Sequence, residues 1–125
     1  MNIDWNVGLV AHLGMEFLEV TPERVRARLQ VNDKLLTTTG VVHGGTLMAF
    51  ADTIGAAGTV ANLAEGQRTA TLESKTNFIA GCKAGWITAE ATPIHKGKRT
   101  HVWETRITDE AGKLLSVTTQ TQIIL

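Results

Sequence analysis

Apolar and polar residues alternate along residues 23–31, the clearest periodic stretch of the chain. One side carries Val25, Ala27, Leu29 and Val31, and the other carries Arg24, Arg26, Arg28 and Gln30. Since successive side chains of a strand point to opposite faces, the alternation predicts a strand with one buried face over Glu23–Val31. Four weaker strand signals come later in the chain, rich in Thr, Val, Ile or Trp: Arg68–Ile79, Trp86–His95, Arg99–Thr108 and Lys113–Ile124.

A second period marks the middle of the chain. Apolar residues recur there at spacings of three and four, at Leu47, Phe50, Ile54, Ala57 and Ala61. This spacing predicts one long amphipathic helix ahead of the later strands. Those strands are joined by short segments that contain glycine, Lys96–Lys98 and Asp109–Gly112, which are typical of antiparallel hairpins.

A helix of this kind must bury its apolar stripe, and the sheet is the available partner, so the pattern predicts a two-layer α+β fold. The helix also contains Gly55 and Gly58, each costing about 1 kcal/mol against Ala in a helix interior. Small residues there indicate close approach of another element. With no repeat, no linker and 125 residues, the expected organisation is a single domain over residues 1–125.

Composition narrows the function classes. Basic and acidic residues number 12 each, so we expect no nucleic-acid partner. Residues 1–13 contain Asp4 and no Lys or Arg, unlike a signal peptide, and residues 41–64 are too polar for a spanning helix. A lone cysteine, Cys82, suits a reducing compartment. We therefore expect a soluble, cytoplasmic protein without membrane contact.

The chemistry-bearing residues lie around the start of the helix. The segment Gly40–Gly45 leads into it, so free backbone N–H groups of the first turn can bind an oxyanion. Asp52 lies about 140° around the helix from Leu47 and is expected to point away from the stripe that meets the sheet.

Gly44 and Asp52 are separated by eight positions, or about 12 Å of helix. A reacting carbon must lie within about 3 Å of both groups, so they cannot serve one site within one subunit. Two helices placed antiparallel across a two-fold axis would bring Asp52 of one chain opposite Gly44 of the other. This geometry predicts a homodimer with two equal, shared sites.

The run from His43 to Asp52, HGGTLMAFAD, resembles the signature of the PaaI-type hotdog thioesterases. The resemblance implies a hotdog fold, with one long helix wrapped by a curved antiparallel sheet of five or six strands. It further implies hydrolysis of acyl-CoA thioesters, and dimers that join into homotetramers. The acyl group is left open between aryl, phenylacetyl-like and medium-chain classes.

The same resemblance implies residue roles. The Gly44 N–H would polarise the thioester carbonyl, and the partner's Asp52 would act as nucleophile or as general base. A hydroxyl on the strand after the helix, best matched by Thr71 with Ser74 as second choice, would orient water or carboxylate. Members of the family often have Asn six residues before the motif His, where this chain has Thr37.

The remaining candidates are weaker. His43 either bonds the helix entry or contacts substrate, and Gly45 and Thr37 are candidate substrate contacts. Positive charge around the predicted hairpin turn, on Lys96, Lys98 and Arg99, is expected to meet the CoA phosphates. The four histidines lack metal-site spacing, and the chemistry requires no cofactor, so we expect neither a metal nor a cofactor apart from the CoA of the substrate.

Two other functions remain open. One is a non-enzymatic acyl-CoA sensor, although the regulators of that kind carry a DNA-binding segment and only about 20 residues precede the first predicted strand here. The other is a hotdog dehydratase or hydratase, in which a His and a carboxylate move a proton at the β carbon. The spacing from His43 to Asp52 fits thioesterases better.

Overall fold

A computed structural model, which describes all 125 residues, contains a six-stranded antiparallel sheet and one long helix. The helices are α1 Gly8–Leu13 and α2 Gly44–Val60, with a short 3-10 turn at Asp33–Leu35. The strands are β1 Glu16–Val20, β2 Val25–Gln30, β3 Thr69–Phe78, β4 Trp86–Lys96, β5 Thr100–Thr108 and β6 Leu114–Ile124. Every predicted strand is present, with ends that differ by two residues or fewer.

The sheet order is β1-β2-β4-β5-β6-β3. The predicted hairpin connections join β4, β5 and β6 as neighbours, whereas β3 lies at the far edge and pairs with β6. The first strand, β1, was not predicted. A bulge between Phe17 and Glu19 interrupts its alternation, so that Phe17 and Val20 share one face and Glu16 and Glu19 share the other.

The helix α2 packs against β2 through β6, so the sheet curves around it. The predicted stripe is buried at Leu47, Phe50, Ile54 and Ala57. Ala61, the last predicted member, is instead the C-cap, since the helix ends at Val60. Facing this stripe are the apolar inward residues of the central strands, among them Val25, Leu29, Ile87, Trp103 and Ile107. Burying one such side chain contributes about 1.5–3 kcal/mol.

Two glycines set the distance between helix and sheet. A Cβ on Gly58 would lie 2.6 Å from the Trp103 ring, and a Cβ on Gly55 would overlap the side-chain amide of Gln120. The predicted close approach is therefore present at both glycines. At Gly55 the neighbour is polar, because β3 and β6 turn hydroxyl and amide side chains toward the helix.

The C-terminal end of α2 is fixed by a buried polar trio. Thr59 Oγ1 accepts a hydrogen bond from Trp103 Nε1 at 2.9 Å and lies 3.1 Å from His101 Nδ1. Since the Thr59 oxygen already accepts, its own proton is available to His101 Nδ1, which suits a neutral ring. Burial lowers the pKa of His101, and the positive charges of Lys96 and His95 lower it further.

We expect the protein to lose stability on acidification through His101. Its folded pKa lies below the ordinary value of 6.5, so protons bind the unfolded chain more tightly. The stabilisation present above pH 6.5 is then lost as the pH falls toward the folded pKa, by at most about 1.4 kcal/mol per pH unit. Urea unfolding between about pH 7.5 and pH 5 measures this slope.

The variant His101→Gln should flatten that slope, whereas His12→Gln, at an exposed histidine, should retain it. Equal slopes in the wild type and His101→Gln would refute the assignment to His101.

Candidate active site

The N-terminus of α2 is capped by His43. Its Nδ1 accepts a hydrogen bond from the backbone N–H of Gly45 at 2.7 Å. The neutral ring in this arrangement carries its proton on Nε2. This is the helix-entry role, one of the two left open by the sequence. Nδ1 is thereby occupied, while the exposed residue keeps its Nε2–H free to donate. A Cβ on Gly45 would lie 2.9 Å from Nδ1, so the cap requires glycine there.

The backbone N–H of Gly44, the first residue of the helix, has no acceptor in the chain. Helix geometry is the reason, because first-turn N–H groups lack an intrahelical partner. Gly44 lines a pocket of about 440 Å³, here called the Gly44 pocket, with Val42, Leu47, Phe78, Ile79, Ala80 and Gly81. A free donor at the wall of a mainly apolar pocket is suited to bind a carbonyl oxygen that gains charge.

Asp52 lies half-buried on α2 beside a second depression of about 250 Å³, the Asp52 pocket, which is also lined by Met48, Ala49, Thr71 and Ser74. Its Oδ1 accepts from Thr71 Oγ1 at 2.7 Å and from Gln120 Nε2 at 3.2 Å. Asp52 was expected to point away from the apolar stripe that meets the sheet, yet its carboxylate still contacts two strands of that sheet. The curved sheet reaches past the apolar stripe, and its β3–β6 end meets this side of the helix.

A bulge in β3 brings two hydroxyl residues to the same pocket. Thr71 pairs with Gln122 and Ser74 pairs with Gln120, and the register shifts between Thr71 and Glu73. In a regular strand, residues three apart face opposite sides, but an extra residue re-aims the side chains after it. Both predicted hydroxyls therefore lie beside Asp52. Thr71 bonds the carboxylate, whereas Ser74 Oγ is buried without a partner.

Two amides that sequence reasoning missed lie beside Thr71 and Ser74. These four side chains of β3 and β6 form a polar wall next to Asp52. Gln120 and Gln122 are fully buried in β6, and Gln120 Nε2 donates to Gln122 Oε1 at 2.9 Å. Thr71 Oγ1 also lies 2.6 Å from Gln122 Oε1, so its single proton serves one acceptor at a time. A signal existed in the alternation of Ser116, Thr118, Gln120 and Gln122, but polar residues on both faces of β6 hid which face is buried.

Thr37 and Gly45 lie outside both pockets. Thr37 builds the loop before α2, where its hydroxyl lies 2.9 Å from that of Thr39 and its backbone N–H donates to Val41 at 2.7 Å. Gly45 lines a separate groove of about 230 Å³ between α1 and α2, with Leu9, His12 and Ala49 among its walls. The structure thus gives Thr37 a loop contact and Gly45 a place at another groove.

The basic residues of the β4–β5 turn divide into two kinds. Lys96 forms an ion pair with Glu23 and also bonds Pro22 O and Asn62 Oδ1, so its ammonium ties the β1–β2 turn to the end of α2. Lys98 and Arg99 are exposed and take part in none of the ion pairs of the chain. Of the three, these two keep their charge available to a phosphate.

The donor and the carboxylate occupy different pockets of the same chain. They are separated by eight helical positions, or about 12 Å. The Gly44 pocket and the Asp52 pocket have no lining residue in common. The Gly44 N–H and the Asp52 carboxylate therefore do not meet in one pocket of this chain. No group of three or more His, Cys, Asp or Glu side chains lies close enough to hold a metal ion.

Residues 39–116 match the family model of the thioesterase superfamily. The chain belongs to this superfamily. The match covers more than half of the 125 residues and includes Gly44, Asp52, Thr71 and Ser74. The predicted hotdog fold and the predicted enzyme class, a thioesterase, are confirmed. The narrower PaaI-type assignment stays a prediction.

Known relatives agree with this membership. The chain is 34% identical over 111 residues to a 1,4-dihydroxy-2-naphthoyl-CoA hydrolase of Listeria monocytogenes, covering 89% of this chain and 90% of that protein. A thioesterase from Haemophilus influenzae superposes with a TM-score of 0.89 at 32% identity, over 94% of this chain and 82% of that one. A Streptococcus pneumoniae protein solved with coenzyme A, 24% identical with a TM-score of 0.82 over 89% and 85% of the two chains, shares the fold.

The thioesterase has no helix that combines the length and apolar character needed to cross a bilayer. Its cytoplasmic location stays a prediction.

The cap at the start of α2 can be tested separately from any substrate contact of His43. His43→Ala removes the Nδ1 acceptor and should destabilise the fold by about 1 kcal/mol. His43→Asn, a good N-cap residue, should recover most of this loss in urea unfolding. Equal destabilisation by the two substitutions would show that the cap contributes little.

Proposed function

We propose that this thioesterase hydrolyses acyl-CoA thioesters to the free acid and CoA at sites shared between two subunits. Gly44 of one subunit would supply the oxyanion donor and Asp52 of the other the reacting carboxylate. The observation that carries the proposal is the separation of an unpaired N–H and a carboxylate into two pockets on one helix. The CoA ester is inferred from the hydrolase of Listeria monocytogenes at 34% identity.

The free edge of the sheet supports a homodimer. β3 spans ten residues at one end of the strand order, so one side of its backbone is unpaired. Leu72 and Phe78 on this strand are 59% and 54% exposed, and an edge with exposed apolar side chains favours pairing with another strand. Antiparallel pairing of two β3 strands about a two-fold axis would lay the α2 helices antiparallel. Further pairing into a dimer of dimers rests on the family resemblance.

In the reaction, the Gly44 N–H would donate to the thioester carbonyl oxygen as that oxygen becomes negative. Asp52 would then act in one of two ways. As a nucleophile it attacks the carbonyl carbon, CoA leaves as a thiolate that takes up a proton, and water hydrolyses the resulting anhydride. As a general base it takes a proton from the water that attacks the same carbon, the C–S bond breaks, and the CoA thiolate takes up a proton as it leaves.

The other residues would orient these groups. Thr71 holds the Asp52 carboxylate at 2.7 Å, and the unpartnered Ser74 Oγ is suited to bind the attacking water. Lys98 and Arg99 would receive CoA phosphates, whereas Lys96 is already engaged by Glu23. The apolar Gly44 pocket accommodates aryl, phenylacetyl-like or medium-chain acyl groups.

The reaction and its carboxylate are tested by thiol release from a panel of aryl-, phenylacetyl- and straight-chain acyl-CoAs. We expect Asp52→Asn to lower kcat/KM by about 10²- to 10⁴-fold, the usual contribution of acid–base catalysis. Asp33→Asn, an equal change at an exposed aspartate, should leave it unchanged. Tight binding without thiol release would favour the sensor, and loss or gain of a double bond would favour a hydratase.

The shared site predicts recovery of activity in mixed dimers. Gly44→Pro removes the N–H at a helix position that tolerates proline, and Asp52→Ala removes the carboxylate. Random mixing should give heterodimers with one intact site and about one quarter of wild-type activity. Gly44→Ala, which keeps the N–H, is the matched control. Inactive heterodimers, or an active monomer in light scattering, would contradict the shared site.

A further inference from the structure

The side chain of Gln120, on β6, contacts two oxygen atoms of Asp52. Its Nε2 lies 3.1 Å from the Asp52 main-chain oxygen and 3.2 Å from Oδ1. The same nitrogen donates to Gln122 Oε1 at 2.9 Å. An amide nitrogen carries two protons, so one serves Gln122 and the other is shared by the two Asp52 oxygens. The side chain therefore holds both the backbone and the carboxylate of this residue.

The three neighbours fix which way the amide points. Since the two Asp52 oxygens and Gln122 Oε1 all accept, only Nε2 can face them. Gln120 Oε1 is left buried with no partner, which costs about 1–3 kcal/mol. The flipped amide would set an oxygen against three acceptors and is worse. Gln122 Nε2 in turn donates to Thr69 Oγ1 at 3.1 Å, and Thr69 donates to the Ile123 carbonyl at 2.8 Å, so the chain of bonds ends on the sheet backbone.

The two carboxylate oxygens of Asp52 differ in the hydrogen bonds that they accept. Oδ1 accepts from Thr71 and Gln120, whereas Oδ2 receives no hydrogen bond within the chain. Donors to one oxygen withdraw its lone pairs and fix the orientation of the carboxylate. Oδ2 is consequently the oxygen with lone pairs free at the Asp52 pocket.

We propose that Gln120 is a positioning residue, which holds Oδ1 of Asp52 so that Oδ2 is the oxygen that reacts. The inference rests on the proposed function, since it assigns Gln120 a role through the Asp52 carboxylate. Gly55 belongs to the same device, because a Cβ there would overlap the Gln120 amide and push it from beneath Asp52. The glycine that weakens the helix thus makes room for the group that orients its carboxylate.

The primary test is Gln120→Met, which keeps the length of the side chain and removes its N–H groups. We expect kcat to fall about 10- to 100-fold, as for a reacting group displaced by about 1 Å, with KM within about twofold of wild type. In the Asp52→Asn background the same substitution should cause no further loss of kcat. Thr118→Val is the matched control, because it removes a buried hydroxyl of β6 that bonds Thr76 and not Asp52.

A purely structural role predicts different results. Gln120→Met would then lower kcat by the same factor in the wild-type and Asp52→Asn backgrounds, or Thr118→Val would lower it as much, and either result overturns the proposal. If Gln120→Met fails to fold, Gly55→Ala displaces the amide from the helix side. Its control is Gly58→Ala, which crowds Trp103 instead. Only Gly55→Ala should show the fall in kcat that vanishes in the Asp52→Asn background.

A readout without turnover separates this proposal from the proposed function. In 15N-labelled protein the side-chain NH₂ resonances of Gln120, identified by their absence from Gln120→Met, should shift in Asp52→Asn and not in Asp33→Asn. Unshifted resonances overturn the positioning role. If wild type releases no thiol from any acyl-CoA while the resonances do shift, the proposed function fails and the contact stands.

Discussion

The close packing of α2 on the sheet is the constraint on which the rest of the structure depends. Two glycines allow it, and they meet different partners. Gly58 lies on the Trp103 ring within the apolar core, and Gly55 lies on the amide of Gln120. Each glycine costs helix stability of about 1 kcal/mol. That loss is offset because the helix comes into contact with both the apolar core at Trp103 and the polar wall at Gln120.

The polar wall explains how a carboxylate sits half-buried on a core helix. Asp52 finds donors in Thr71 and Gln120, so its negative charge is bonded where the sheet closes over it. Buried polar groups are tolerated when they are hydrogen-bonded, and here the bonds extend through Gln122 to the backbone of β6. The cost of this network is the unpaired Gln120 oxygen. Stability and the orientation of the Asp52 carboxylate are thus linked through the same few side chains.

The Gly44 N–H and the Asp52 carboxylate lie on one helix and are therefore held apart. The Gly44 N–H is unpaired because it begins the helix, whereas Asp52 lies two turns further along. Neither position can move without losing its own environment, the helix end for one and the β3–β6 wall for the other. In the proposed shared site, two copies of the chain would satisfy both requirements without altering either position, and the unpaired edge of β3 would be the surface that joins them.

The sequence by itself determined the family and most of the secondary structure, because both depend on local order along the chain, although the short helix α1 was not predicted. Period two predicted β2, and residues with strand preference predicted the four later strands. Spacings of three and four predicted α2, and the run from His43 to Asp52 marked the superfamily. The strand β1 was missed, since the bulge between Phe17 and Glu19 breaks its alternation of polar and apolar residues. The predicted stripe extended to Ala61, one residue beyond the end of the helix, because the period does not mark where a helix ends.

Only the tertiary structure decided the surroundings of Asp52. Residues 52, 71 and 120 are far apart in sequence, and their meeting depends on the curvature of the sheet, which no local pattern records. The bulge after Thr71 places Ser74 on the same face of β3 as Thr71. Gln120 is buried beneath the helix because its face of β6 is the one that α2 covers. A period of two tells that faces alternate but not which face is covered, and the packing of α2 makes that choice.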